Sequence, residues 1–185
     1  MMARRLFLIG FAVALLAAFG CSGDDGGTST PGIACSDGGD ASPNAVAMSC
    51  GGTTDGTTEE VDVVMGGPAS GSPTKLLGMN FDVTYDPLKL EFVPAESYPS
   101  AVFTEALPAV TLLDGQPGRV VVSIQQVGGV LVSVGPGQHV VLKLYFRRAG
   151  GATFGPTALD FDLGKSEATS ASTAIGFENG LALSY

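Results

Sequence analysis

LLGMNFDVTYDPLKLEFVP, residues 76–94, decides how the rest of the chain is read. Apolar side chains fall on every second position: Leu77, Met79, Phe81, Val83 and Tyr85. Gly78, Asn80, Asp82 and Thr84 lie between them. A period of two belongs to a β-strand with one face in a core and the other in water. Asp86-Pro87 then turns the chain, because proline fixes φ and aspartate bonds the backbone beyond it. A second short strand is expected over residues 88–93.

Working outward, the same grammar recurs. Short apolar runs separated by Gly, Pro and Asp stand at residues 45–49, 60–65, 109–113, 119–127, 130–134, 139–148, 157–163, 172–177 and 181–185. In residues 119–127 the alternation puts Val120, Val122 and Ile124 inward, leaving Val121, Ser123 and Gln125 outward. In residues 139–147 it puts Val140, Leu142, Leu144 and Phe146 inward. His139, Val141, Lys143, Tyr145 and Arg147 then face out. GQPG at 115–118 and GPG at 135–137 are turn chemistry. No stretch of useful length has a helical period, and no internal repeat is present. Many short strands punctuated by turns indicate an all-β sandwich or barrel. A dozen buried side chains at about 1.5–3 kcal/mol each are ample for one such core, before chain entropy is set against them.

The first twenty residues read as a secretory signal: Arg4 and Arg5, an apolar run over 6–16, then small residues up to Cys21. Cysteine directly after Gly20 resembles a bacterial lipobox, with Cys21 as the lipidated residue. An ordinary signal peptide or an uncleaved anchor are the alternatives, the run being short for a span of ~20 residues. Ser22 after the cysteine resembles lipoproteins sorted to the outer membrane, so the expected location is an exported lipoprotein at the outer membrane or cell surface. Residues 21–43, rich in Gly, Ser, Thr, Asp and Pro, read as the lipidated end of a flexible tether. The folded domain is expected over 44–185, a length typical of one domain.

Cys35 and Cys50 remain. In an oxidising compartment an isolated pair forms one disulfide, contributing on the order of 3 kcal/mol. Neither CxxC nor a second histidine supports redox or metal chemistry. The chain carries 9 basic and 18 acidic residues, a net charge of −9. Removing residues 1–20 takes two arginines and no acid, so the mature chain stands at −11. An acidic surface argues against nucleic acid and against anionic lipid as charge-driven partners. Membrane contact is expected through the N-terminal lipid only.

The ordered features of the domain resemble the cohesin family, the dockerin-receiving modules that share their fold with several carbohydrate-binding modules. The residues that carry the resemblance are LLGMNFDVTYDPLKLEFV at 76–93, GRVVVSIQQ at 118–126, GQHVVLKLYFRRAGGATFGPTALDFDL at 137–163 and the closing GFENGLALSY at 176–185. Together they span almost all of the domain. The resemblance implies a nine-stranded β-sandwich with jelly-roll topology. It also implies a non-catalytic module that docks a dockerin-like domain of another exported protein, in a setting of polysaccharide breakdown. Asn80 falls where the family commonly has a recognition aspartate, while Gly78 replaces a position that is often polar. By face parity Asp82, Val121, Ser123 and Gln125 complete the candidate partner-binding set, Asp82 being read as surface charge before site.

Two other readings stand beside it. A carbohydrate-binding module would stack rings on sugars; the chain has no Trp, which leaves Tyr145, Tyr98 and Tyr185 as candidate platforms. An envelope or adhesive domain would need no dockerin at all. Catalysis is not expected. His139 stands alone at a strand start, and no GxSxG, HExxH or phosphate loop occurs. Asp160 and Asp162, two apart on an expected strand, read as surface charge before a calcium or glycosidic pair. No cofactor and no metal are expected.

Overall fold

The structure, a computed structural model, describes residues 32–36, 38–53, 56–99, 101–103, 116–153, 155–171, 173–178 and 180–184. The signal segment, Cys21, the expected strand at 109–113 and Tyr185 lie outside these residues. The described strands in chain order are β1 (Ala34–Ser36), β2 (Ala45–Thr53), β3 (Thr58–Gly66), β4 (Thr74–Thr84), β5 (Leu90–Phe92), β6 (Tyr98–Pro99), β7 (Arg119–Gln125), β8 (Val132–Val134), β9 (Gln138–Arg148), β10 (Thr157–Phe161), β11 (Glu167–Ser170), β12 (Gly176–Phe177) and β13 (Leu181–Ser184).

They form two sheets. One runs β1-β13-β10-β4-β11, with β7 and β8 also pairing β4; the other runs β12-β2-β3-β9-β5, with β6 also pairing β9. Antiparallel pairing dominates, and only β12 lies parallel to its partner β2. The chain is thus an all-β sandwich, as the strand grammar predicts.

Its core follows from the alternation. Met79, Phe81 and Val83 of β4 and Val120, Val122 and Ile124 of β7 face Val61, Val63 and Met65 of β3 and Leu142, Leu144 and Phe146 of β9 in one buried cluster. Phe161 meets Phe81 edge-on at 5.4 Å and Phe177 at 5.2 Å, a favoured arrangement of ring quadrupoles. Beyond β4 the expected corner forms. Asp86 Oδ1 accepts the Leu88 amide at 2.9 Å, and the Asp86 carbonyl accepts from Lys89 and Leu90. Gly118 (φ 88°) lends its carbonyl to the Tyr85 amide, and a Cβ at 118 would stand 2.9 Å from Tyr85 O. The second strand is shorter than 88–93, and Leu88 is exposed on the turn.

The alternation fails in two places, both at a bulge. In β4, Leu76 rather than Leu77 is in the core; Leu76 pairs with Ser170 and Gly78 with Thr169, which leaves Leu77 as the extra residue, half-buried on the outer side. In β9, Val63 pairs with Leu142 and Val64 with Val140, so Val141 is the insertion. Val141 is buried and Val140 is only half-buried, the reverse of the expected assignment. One inserted residue re-aims every side chain before it.

The N-terminal boundary also moves. Of the expected tether, Ile33 is in the core, Ala34–Ser36 pair with β13, and Ala41 is buried with its amide and carbonyl both held by the Gln138 side chain. The folded unit therefore begins near residue 31 rather than at 44. The expected disulfide is present: Cys35 and Cys50 are bonded with Cα atoms 5.7 Å apart. It ties β1 of one sheet to β2 of the other.

Candidate functional site

The outward residues of β4 and β7 make one continuous patch, because the two strands pair over seven consecutive positions. Gly78 faces Gln125, Asn80 faces Ser123 and Asp82 faces Val121. All five residues expected to bind a partner are thereby brought together. On the other side of β4, Glu167 of β11 stands opposite Asn80.

Within the patch the groups differ in how far they are already committed. Ser123 donates its hydroxyl to Asn80 Oδ1 at 2.6 Å, which leaves the second lone pair of that oxygen and the amide NH2 group of Asn80 for an incoming partner. Gln125 is exposed. Asp82 is outward by parity yet only 3 % exposed, and it is not free surface charge: Arg119 Nε donates to its Oδ2 at 2.7 Å, and Arg119 Nη2 donates to the same oxygen. Arg119, about a third exposed, is the part of this pair that a partner can reach.

At the bulge end the patch deepens into a cleft of about 240 Å³, lined by Leu77, Gly78, Asn80, Gln125, Gln126, Gly129 and Thr169. Its floor is backbone, since a Cβ on Gly78 would lie 2.5 Å from Ile124 O. Gln126 is 9 % exposed; its amide bonds the bulged Leu77 carbonyl at 3.1 Å, and its side-chain Oε1 has no hydrogen-bond partner among the described residues. An unmet buried acceptor costs about 1–3 kcal/mol. Gly128 and Gly129, both at positive φ, carry the chain past the cleft to Val130 and Leu131, which are 56 % and 40 % exposed. Leu77, Gln126 and Thr169 are absent from the set read from parity, because the bulge that creates the cleft is invisible to a period-two count.

The outer face of the other sheet is built differently. Tyr145, expected to be an exposed ring, is 5 % exposed. Its hydroxyl donates to Glu60 Oε2, directly across the ladder, and Tyr98 lies against it with ring centroids 6.1 Å apart. Lys143 ion-pairs with Glu60 and stands 3.7 Å from Asp62. Burial pushes the Tyr145 hydroxyl well above its ordinary value, with the Glu60 bond adding to the shift. Burial also pushes Glu60 up, but hydrogen bonds from Lys143 and Tyr145 outweigh it and hold the carboxyl below its usual range. Asp62 is raised, first by burial and then by the neighbouring Glu60 charge, against the pull of Lys143. A ring so enclosed has no face to offer a sugar, and Tyr98, 48 % exposed, is left as the ring on this face that solvent reaches.

The remaining candidates separate. His139 is half-buried with Nε2 2.9 Å from the Gly135 carbonyl. Asp160 sits in β10 opposite Thr84, whereas Asp162 has left the strand, starts a turn and pairs with Lys165 at 3.0 Å. Among the described residues no three His, Cys, Asp or Glu side chains come together as a metal site.

No family model matches the chain, and no curated protein does. Solved structures do. A chain of the CaDoc0917–CaCohA2 complex superposes with a TM-score of 0.56 at 19% identity, over 72% of this chain and 95% of that one. The solution structure of CaCohA2 from Clostridium acetobutylicum gives 0.53 at 20% identity, over 77% and 94%. The sixth cohesin of Acetivibrio cellulolyticus scaffoldin B, solved in complex with the Cel5 dockerin, gives 0.51 at 19% identity, over 74% and 96%. What this chain has in common with them is the sandwich fold of cohesin domains.

Proposed function

We propose that the protein is a non-catalytic docking module that receives a dockerin-like domain of another exported protein on the outer face of β4 and β7. The observation that carries this reading is the juxtaposition of Asn80, Ser123 and Gln125 on one outer face, beside a cleft. Similar folds have been solved with dockerins bound, which supports the class of partner. The face sets polar side chains beside the exposed Val130 and Leu131, so a protein partner finds both hydrogen-bonding groups and apolar surface there. In this reading the signal segment and Cys21 place the module at the bacterial envelope as a lipoprotein, and its cargo would serve polysaccharide breakdown. Direct sugar binding through Tyr145 is not favoured, because that ring is enclosed by Glu60 and Tyr98.

Calorimetric titration of the mature chain with the dockerin modules encoded in the same genome tests the proposal. A saturable complex that Asn80→Ala and Gln125→Ala each weaken is expected. Absence of binding to every one of them would overturn the dockerin assignment.

A further inference from the structure

We infer that β7 is the seam of a twofold dimer, in which the β7 strands of two copies pair antiparallel and join their sheets edge to edge. The seam uses the edge of β7 rather than its outer face, so it does not depend on the docking reading. Among the described residues β7 pairs with β4 alone. Bonds at the two ends of that ladder, from the Tyr85 amide to the Gly118 carbonyl and from the Gln126 amide to the Leu77 carbonyl, fix its phase. Hydrogen-bonded pairs recur at every second residue, so Val120, Val122 and Ile124 turn their backbone groups to β4. Val121, Ser123 and Gln125 turn theirs away, and among the described residues none of those amides or carbonyls has a backbone partner.

Such an edge is a template for another strand, and proteins blunt it with short strands, proline, bulges or charge. Other strands at the sheet edges are short: β1, β5 and β8 have three residues each, and β6, which contains Pro99, and β12 have two. β7 runs for seven residues, RVVVSIQ, without proline, and its ladder with β4 has no bulge. The strand also suits a copy of itself. Antiparallel pairing about an axis at Val122 overlaps its whole length, with Val121 opposite Ser123 of the second copy and Arg119 opposite Gln125 of the second copy. Arg119 is the only charged residue of β7, and this register sets the two arginines at opposite ends of the seam, where parallel pairing would bring them together. Arg119 Nε and Nη2 serve Asp82, which leaves Nη1 to donate to the facing glutamine oxygen. A single strand pair is smaller than a standard interface of ~1,200 Å², and the chain carries a net −9, so the association is weak and depends on concentration.

Sedimentation equilibrium of the mature chain over a range of concentrations, with no dockerin present, tests the seam. A monomer–dimer equilibrium is expected, with amide exchange at Val121, Ser123 and Gln125 slowing as the concentration rises. Gln125→Glu should tighten the dimer roughly fivefold and Gln125→Arg should weaken it by a similar factor, because the contact with Arg119 occurs twice across the axis. Val121→Pro removes an edge donor that the β4 ladder does not use and should abolish the dimer. The Gln125 pair sits on an exposed side chain and decides the matter even where the proline disturbs β7 itself. A monomer at every concentration would overturn the seam, as would a dimer that both Gln125 variants leave unchanged. Edge amides protected equally in dilute and concentrated samples would assign the edge to a segment of the same chain and overturn it too.

Discussion

The two outer faces of the sandwich both carry polar side chains and use them in different ways. On β3 and β9, Glu60, Lys143 and Tyr145 bond to one another, and the buried Asp62 Oδ1, without a hydrogen bond, lies 3.7 Å from the Lys143 ammonium. On β4 and β7, Asn80 is half-used and Gln125 is exposed. A polar network that closes on itself stabilises the fold; one left open is available to something else. The difference separates structure from site more clearly than residue type does.

Substitutions can break that contrast, and the largest effect belongs to the closed face. Tyr145→Ala removes a ring that is nearly fully buried together with the donor to Glu60, and should cost about 3 kcal/mol in urea unfolding while leaving partner affinity unchanged. Arg119→Met is next. It strands the buried Asp82 carboxylate on the other face and should cost about 2 kcal/mol, discounted from a fully buried pair because Arg119 reaches solvent. Replacing Asp82 by Asn in that variant should recover part of the loss.

Acidity sharpens the contrast further. Glu60 is lowered from 4.5, so its contribution is present above that value and disappears as pH falls through its lower folded value. Asp62 is raised from 3.8, so its contribution is favourable below that value and is lost as pH rises through its higher folded value. Glu60→Gln should therefore destabilise the protein at pH 7, with the deficit closing in acid below pH 4.5. Asp62→Asn should leave stability at pH 7 unchanged or higher. Urea midpoints from pH 3 to 7 read both. The smallest effect on folding belongs to the open face: Gln125→Ala should alter stability by no more than about 0.5 kcal/mol, because nothing in the fold depends on an exposed glutamine.

Much of this was legible in the sequence. Alternation assigns every inward residue of β7, Asp86-Pro87 marks the corner after β4, and two spare cysteines name their own bond. Parity also gathered Asn80, Ser123 and Gln125 on one face. The cleft beside them was not legible. It exists because β4 spends one residue at Leu77, and in the pair Leu76-Leu77 either leucine could be the core one; only pairing to Ser170 and Thr169 decides. Val140-Val141-Leu142 hides its bulge in the same way. The burial of Tyr145 is not legible either, because a period-two count gives a side but not what covers it. The strand at 34–36 sits in a composition that reads as tether, and it is held by the disulfide and by β13, both remote in sequence.

The contrast between the faces is tested most directly by placing one large cation on each. Affinity for a genome-matched dockerin should be measured for Asn80→Arg on the open face and Tyr98→Arg on the closed one, with unfolding checked for both. The docking account predicts that Asn80→Arg abolishes the complex and Tyr98→Arg leaves it intact. The reverse pattern, with both variants folded, would contradict it.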